Sequence, residues 1–162
     1  MHVGCGSALL PDWFKGFQET RLDVNEAYGP DVVADMLDMG EIGDFDVVYC
    51  AHALEHVYPH EADRAAREFL RVLKPGGYAM VFVPDLEGVK PTDEILFDAP
   101  SGPIAGLDLI YGYRIALEQF PRMAHRNGFT SESLAKTLRD AGFSKVETRR
   151  LHPYNLMAVA VK

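Results

Sequence analysis

Met1-His2-Val3-Gly4-Cys5-Gly6-Ser7-Ala8-Leu9-Leu10 decides how the rest of the chain is placed. The short apolar step His2-Val3 runs directly into Gly4-Cys5-Gly6, the pattern of a β-strand that breaks into a tight turn. Glycine serves such a turn in two ways. It takes positive φ without a Cβ penalty, and it lets a ligand lie against bare backbone. In open α/β sheets, ligands bind outside the carboxyl ends of the strands, where the strand order reverses. A G-x-G at that edge predicts a cofactor cradle if the elements that follow build such a sheet.

The following elements have the composition of that sheet. Asp12 to Thr20 is expected as a short helix, weakened by Gly16. Arg21-Leu22-Asp23-Val24 reads as a short strand ending in an acid, and residues 25–31 carry turn chemistry. Val32-Val33-Ala34 steps into Asp35, and Leu37 to Asp44 is a loop. Phe45-Asp46-Val47-Val48-Tyr49-Cys50 is a near-continuous apolar run, the pattern of a strand buried on both faces. Ala62, Ala65, Ala66, Phe69, Leu70 and Leu73 then repeat at three and four, one buried stripe of a helix stopped by Pro75-Gly76-Gly77. Tyr78 to Val83 is the next buried strand, ended by Pro84. Residues 85–129 read as an irregular excursion, with a helix expected over Asp108 to Gln119. A final helix starts at Thr130 or Ser131 and ends at Gly142-Phe143. Lys145 to Leu151 and Asn155 to Val161 read as strands, and their short connection makes them antiparallel. The expected architecture is a single domain over residues 1–162, a three-layer α/β fold. Its Rossmann-like sheet is mostly parallel and carries an antiparallel C-terminal hairpin.

Composition narrows the function. The chain has 162 residues, 48% of them hydrophobic, which suits one domain with a real core. Its formal charge is −8, with a sequence pI near 5.2. That balance argues against a grip on nucleic acid phosphates, which needs clustered Lys and Arg. No apolar run is long enough for a membrane span, and the N-terminus lacks the pattern of a signal peptide. The two cysteines, Cys5 and Cys50, form no C-x-x-C pair and are expected as reduced, buried thiols. They suit a reducing, cytoplasmic compartment.

Six motifs in order resemble the class I S-adenosylmethionine-dependent methyltransferases of the small type 11 kind. They are His2-Val-Gly-Cys-Gly6, Leu22-Asp23-Val24, Ala34-Asp35-Met36, Phe45 to His56, Leu70-Arg-Val-Leu-Lys-Pro-Gly-Gly77, and Asn127-Gly-Phe-Thr130 with Ala141-Gly-Phe143. The resemblance spans His2 to Lys162. It implies S-adenosyl-L-methionine as cofactor, with Gly4, Cys5 and Gly6 around the methionine moiety. It also implies that Asp23 accepts from the ribose hydroxyls and Asp35 from the adenine amino group, with Val24 and Met36 beside them. Ala51 and His52, after the fourth strand, are expected to border the amino end of the methionine. The chemistry agrees. Backbone N–H groups of a glycine turn suit a carboxylate, a carboxylate accepts from a diol, and carboxylates and carbonyls suit a sulfonium. The family's usual helix before the first strand has no counterpart here, so one wall of the pocket is expected to be open.

Methyl transfer from a sulfonium is carried mainly by positioning, and a base helps when the acceptor must lose a proton. Candidates at the pocket mouth are His52, His56, Asp85, Tyr111 and His125. Of these, His125 is the expected catalytic residue, because it lies in the excursion over the acceptor side. His52-Ala53-Leu54-Glu55-His56 also fits the zinc-protease pattern H-x-x-E-H. That pattern needs both histidines on one helix, so no metal ligand is assigned from it. Two other functions compete. A nicotinamide oxidoreductase wants a third glycine where Leu9 stands. A non-catalytic partner or regulatory subunit of the same fold would bind no donor. The acceptor itself, small or carrier-bound, is not encoded in any motif. Ile95, Leu96, Phe97, Leu109 and Ile110 suit either its pocket or a homodimer contact.

Overall fold

The computed structural model describes residues 1–162. Strands β1 (His2–Val3), β2 (Arg21–Asp23), β3 (Val32–Val33), β4 (Phe45–Ala51) and β5 (Leu73–Pro84) are parallel neighbours in the order β3-β2-β1-β4-β5. The hairpin of β8 (Lys145–Leu151) and β9 (Asn155–Val161) extends this sheet, with β9 antiparallel to β5 and β8 at the edge. Seven strands therefore form a mostly parallel, Rossmann-like α/β sheet with an antiparallel C-terminal hairpin. The order reverses between β1 and β4, so the crevice sought by ligands opens beside the glycine turn.

The two faces of the sheet follow strand periodicity. Val48 and Cys50 of β4, Ala79, Val81 and Val83 of β5, and Leu156, Ala158 and Ala160 of β9 point into the main core. Two helices cover that face. Helix α1 (Pro59–Val72) buries Ala62, Ala65, Ala66, Phe69 and Val72. Helix α3 (Ser131–Ala141) buries Leu134, Ala135, Leu138 and Ala141. Fully burying a side chain such as Phe69 is worth about 2–3 kcal/mol, so this stripe carries much of the stability. On the opposite face, Val47, Tyr49 and Phe82 form a smaller cluster with Phe14.

Helix boundaries follow local chemistry. Helix α3 is capped by Thr130, whose Oγ1 accepts from the Ser133 N–H at 3.3 Å, and it ends at Gly142 with φ +111°. Helix α1 ends at Val72, earlier than its apolar repeat suggests. Lys74 precedes Pro75 and is biased away from helical ψ, so the chain is already extended at Leu73.

Three expectations change. Asp12 to Thr20 forms only a 3-10 turn, Asp12–Phe14, because Gly16 sits at φ +98° and cannot continue a right-handed helix. The helix expected over Asp108 to Gln119 is α2 (Gly106–Tyr111), stopped by Gly112 at φ +92° and followed by a 3-10 turn at Arg114–Ala116. The excursion is also less irregular than it reads. Strands β6 (Ile95–Ala99) and β7 (Gly102–Ala105) form an antiparallel hairpin around Pro100-Ser101. Pro103 fits β7 because both strands of a two-stranded ribbon are edges. No helix is long and apolar enough to cross a membrane. Cys5 and Cys50 are buried free thiols, and burial pushes the Cys50 thiol far up.

Candidate active site

The donor side is built from the carboxyl ends of β1 to β4, which the parallel register brings to one edge. Gly4 and Gly6 take φ +63° and +48°. A Cβ on Gly4 would stand 2.4 Å from the Ala53 Cβ, so the turn lies directly against the exit of β4. Met36 completes the contact, its Cε 3.9 Å from the same point. A Cβ on Gly6 would meet nothing within 4 Å, which leaves an open surface along the turn.

Strand β2 fixes that turn from one side. Asp23 Oδ2 accepts from the Gly6 N–H at 2.8 Å, and Oδ1 accepts from the Asn25 N–H at 2.9 Å. Two residues earlier, Arg21 donates from Nη2 to Gly6 O at 2.6 Å and from Nη1 to Ala8 O at 2.9 Å. Arg21 and Asp23 share one side of the strand, so a single short element holds both a carbonyl and an N–H of the turn. The sequence did not single out Arg21. Its signal is the i, i+2 pairing of a long cation and an acid on a strand that ends at a glycine turn.

This clamp corrects one expectation. The Cys5 N–H donates to Leu22 O at 3.2 Å and the Gly6 N–H to Asp23. Two of the three N–H groups offered to the methionine carboxylate are therefore spent on β2, and the turn presents backbone surface rather than a set of free donors. Asp23 is buried and keeps a lone pair on each oxygen. Asp35 follows β3, where the Ala34 N–H donates to Asp23 O at 3.1 Å. Its carboxylate is exposed, with Oδ1 accepting from the Leu37 N–H at 2.9 Å. Val24 is exposed at the end of β2. Ala51 ends β4, and His52 turns away from it at φ +52°, a conformation that costs a non-glycine residue about 1–3 kcal/mol. All the sequence-assigned cofactor residues thus lie along one sheet edge.

A cavity of about 720 Å³ adjoins this edge, within the usual range for ligand pockets. Tyr28 and His52 form part of its wall, as do Glu55, His56 and His125. Phe97 of β6 and Ile104 of β7 add apolar lining, so the excursion does cover this side. A smaller cavity, about 300 Å³, lies among Met1, Phe14 and Lys74 at the amino ends of the strands and holds none of these residues.

Among the acceptor-side candidates, the histidines converge on Glu55, to which the sequence assigned no role of its own. Glu55 is buried at 1% exposure in the 3-10 turn Leu54–His56. Burial raises its carboxyl pKa, but His52, His56 and His125 outweigh that and hold it low. His52 Nδ1 lies 3.4 Å from Glu55 Oε1. Burial opposes charge on the His52 ring, yet the Glu55 carboxylate holds its pKa up. His125 is lowered by burial, against the pull of the same carboxylate. The loop carrying His125 is stapled in place by backbone bonds, the Arg126 and Asn127 N–H groups both donating to Glu55 O at 2.9 and 3.0 Å. The signal for Glu55 is an acid within the apolar run Ala53-Leu54-Glu55-His56-Val57. The remaining candidates fall outside the cluster. Asp85 is buried in an ion pair with Arg150 and caps the end of β5, and Tyr111 is exposed on α2.

A family model described as a methyltransferase domain matches residues 1–81. No curated protein matches the sequence. Among solved structures, an S-adenosylmethionine-dependent methyltransferase from Mesorhizobium loti superposes with a TM-score of 0.65 at 18% identity, covering 99% of this chain and 89% of its own. The Burkholderia thailandensis 1,6-didemethyltoxoflavin-N1-methyltransferase, solved with 1,6-didemethyltoxoflavin and S-adenosylhomocysteine, gives 0.65 at 18%, covering 99% of this chain and 69% of its own. Human N-acetylserotonin methyltransferase in complex with S-adenosylmethionine gives 0.53 at 14%, over 80% of this chain. The chain spans about a third of the length of that protein and of others it resembles, 32%, 36% and 33%. At these identities the likeness establishes the fold.

Proposed function

The chain belongs to the methyltransferase-domain family, and from that membership we propose that it moves a methyl group from S-adenosyl-L-methionine to a small or carrier-bound acceptor. The observation that carries this reading is the single edge formed by the Gly4–Gly6 turn, Asp23 and Asp35, which an acceptor-sized cavity meets at His52. The donor fits the residues present. Gly4 has no room for a Cβ, the surface beside Gly6 is open, and Asp23 has lone pairs for a diol.

When bound, the donor supplies a methyl on a sulfonium: its C–S bond breaks, sulfur keeps the pair, and the acceptor atom gains the methyl and sheds any proton. The chain's share is positioning. Asp23 orients the ribose and holds the turn, Asp35 meets the adenine edge, and His52 with Ala51 borders the amino end of the methionine. In this reading His125 takes the acceptor's proton. Its Nδ1 lies 2.9 Å from Leu109 O and so carries the hydrogen, leaving a lone pair on Nε2 of a ring that burial keeps neutral. The free thiols suit a reducing, cytoplasmic setting.

Titration calorimetry with S-adenosylmethionine, S-adenosylhomocysteine and NADH tests the reading. Heat with the two sulfur nucleosides, at an affinity about tenfold weaker in Asp23→Ala, supports it. Heat with NADH alone, or with none of the three, overturns it.

A further inference from the structure

Glu55 Oε2 is buried without a hydrogen-bond partner, although its own Oε1 faces His52. A buried carboxylate oxygen left bare is costly, and native structures rarely keep one without a bound group. Two imidazoles stand near the same carboxylate. One potential ligand atom from each of Glu55, His56 and His125 lies within 4.8 Å of the others, and the two rings are 5.3 Å apart.

Both rings are held as metal ligands usually are. His56 Nδ1 is 3.2 Å from Ala124 O, and His125 Nδ1 is 2.9 Å from Leu109 O. Facing a carbonyl, each Nδ1 carries a hydrogen, so in the neutral ring that a metal requires each Nε2 keeps its lone pair. A backbone carbonyl on the far nitrogen is the common outer support of a ligating histidine. The support is itself rigid. The His125 N–H donates to Tyr111 O at 3.0 Å, and Gly112 lets the loop pass so closely that a Cβ there would stand 2.5 Å from Met123 O.

We propose that Glu55, His56 and His125 bind one divalent late first-row transition ion of the zinc class, with an open coordination position toward the 720 Å³ cavity. Two imidazoles and one carboxylate suit such an ion, whereas calcium and magnesium demand oxygen-rich shells. Bonds of about 2.1 Å place ligand atoms about 3.0–3.4 Å apart, so binding draws the three groups together by side-chain rotation. The open position selects an acceptor that offers an oxygen donor. This last point rests on the methyltransferase reading, while the ion site does not. In the loaded protein the metal takes the lone pair that His125 otherwise offers to the acceptor's proton.

The test uses the full chain freed of metal by chelation. Cobalt(II) is titrated in and followed by its visible d–d absorption, then displaced with zinc(II), and S-adenosylhomocysteine binding is measured on the same samples. The expected result is saturation near one cobalt per chain, weakened at least about tenfold in both His125→Ala and Glu55→Gln, and unchanged in His60→Ala. Absence of the band at saturating cobalt, or wild-type affinity in folded His125→Ala, overturns the proposal. Folding is checked by circular dichroism, and His125→Ala decides the matter if Glu55→Gln does not fold. Cobalt binding without nucleoside binding would sink the donor reading and leave the metal site standing; the reverse would sink the metal site alone.

Discussion

The donor edge and the acceptor cavity are built on different principles. At the donor edge every functional group sits within a few residues of a strand end, and parallel pairing brings those ends together. His2 pairs with Arg21 and Tyr49, and Leu22 with Val32, so Gly4, Asp23, Asp35 and His52 reach one line almost automatically. At the acceptor cavity the key groups come from a 3-10 turn and a loop some seventy residues later. They are joined by two N–H bonds to one carbonyl, Glu55 O. A sheet edge tolerates change away from its turn, whereas a stapled loop depends on each contact that lets it approach.

That contrast is sharpest at the two glycines that allow close approach. Gly4→Val puts a β-branched side chain at φ +63° and drives its Cβ into Ala53. The turn must move, and donor affinity is expected to fall at least about 100-fold, some 2.7 kcal/mol, in a calorimetric titration. Gly112→Ala strains a φ of +92° and pushes against Met123 O. It is expected to lower stability by about 2 kcal/mol in denaturant melts and to speed hydrogen exchange at residues 123–127. Donor affinity should stay within about twofold of wild type. If Gly112→Ala weakened the donor as much as Gly4→Val, the two regions would be one cooperative unit and the contrast would fail.

A smaller effect divides the donor edge itself. Asp23 is both the acceptor offered to the ribose and the clamp on Gly6. Asp23→Ala is expected to cost about tenfold in donor affinity, near 1.4 kcal/mol. Asp23→Asn keeps an amide oxygen for the Gly6 N–H and should recover part of that. Equal losses in both variants would assign the residue to the diol alone.

This division tracks what could be read from the sequence. Strand residues alternate faces and glycine turns have a fixed chemistry, so the sheet, its terminal hairpin and the positions of Gly4, Gly6, Asp23 and Asp35 follow from local pattern. The N–H groups of Cys5 and Gly6 escape such a reading because their partners lie on β2, and a turn's donors are spent by its neighbours in space. The β6–β7 hairpin is hidden because Pro100, Gly102 and Pro103 read as breakers, although Pro100-Ser101 is a two-residue connection between apolar runs. Asp12 to Thr20 offers helix-like composition, but one positive-φ glycine decides against it. The partnership of Glu55 with His125 is out of reach for a different reason. It depends on the loop's path from Tyr111 back to β4, set by backbone bonds that no local periodicity records.

The gentlest probe of the contrast is acid. Asp108 is buried at the start of α2, inside the acceptor half, and accepts from the Ala105 N–H at 2.9 Å, the Arg114 N–H at 3.1 Å and Arg114 Nε at 2.9 Å. Burial pushes its carboxyl pKa up, but the Arg114 guanidinium and the backbone donors outweigh burial and hold it below its ordinary 3.8. A carboxyl depressed on folding stabilises fully above its unfolded value, and the contribution disappears as pH falls through the folded one. The loss therefore begins near pH 4 and completes below it. Asp108→Asn removes that dependence at a cost of about 1 kcal/mol at neutral pH, because the amide accepts fewer and weaker bonds. Urea midpoints at pH 7 and pH 3 should differ less for Asp108→Asn than for the wild-type chain. An unchanged difference would place the acid sensitivity elsewhere and free α2 from its role in holding the acceptor side.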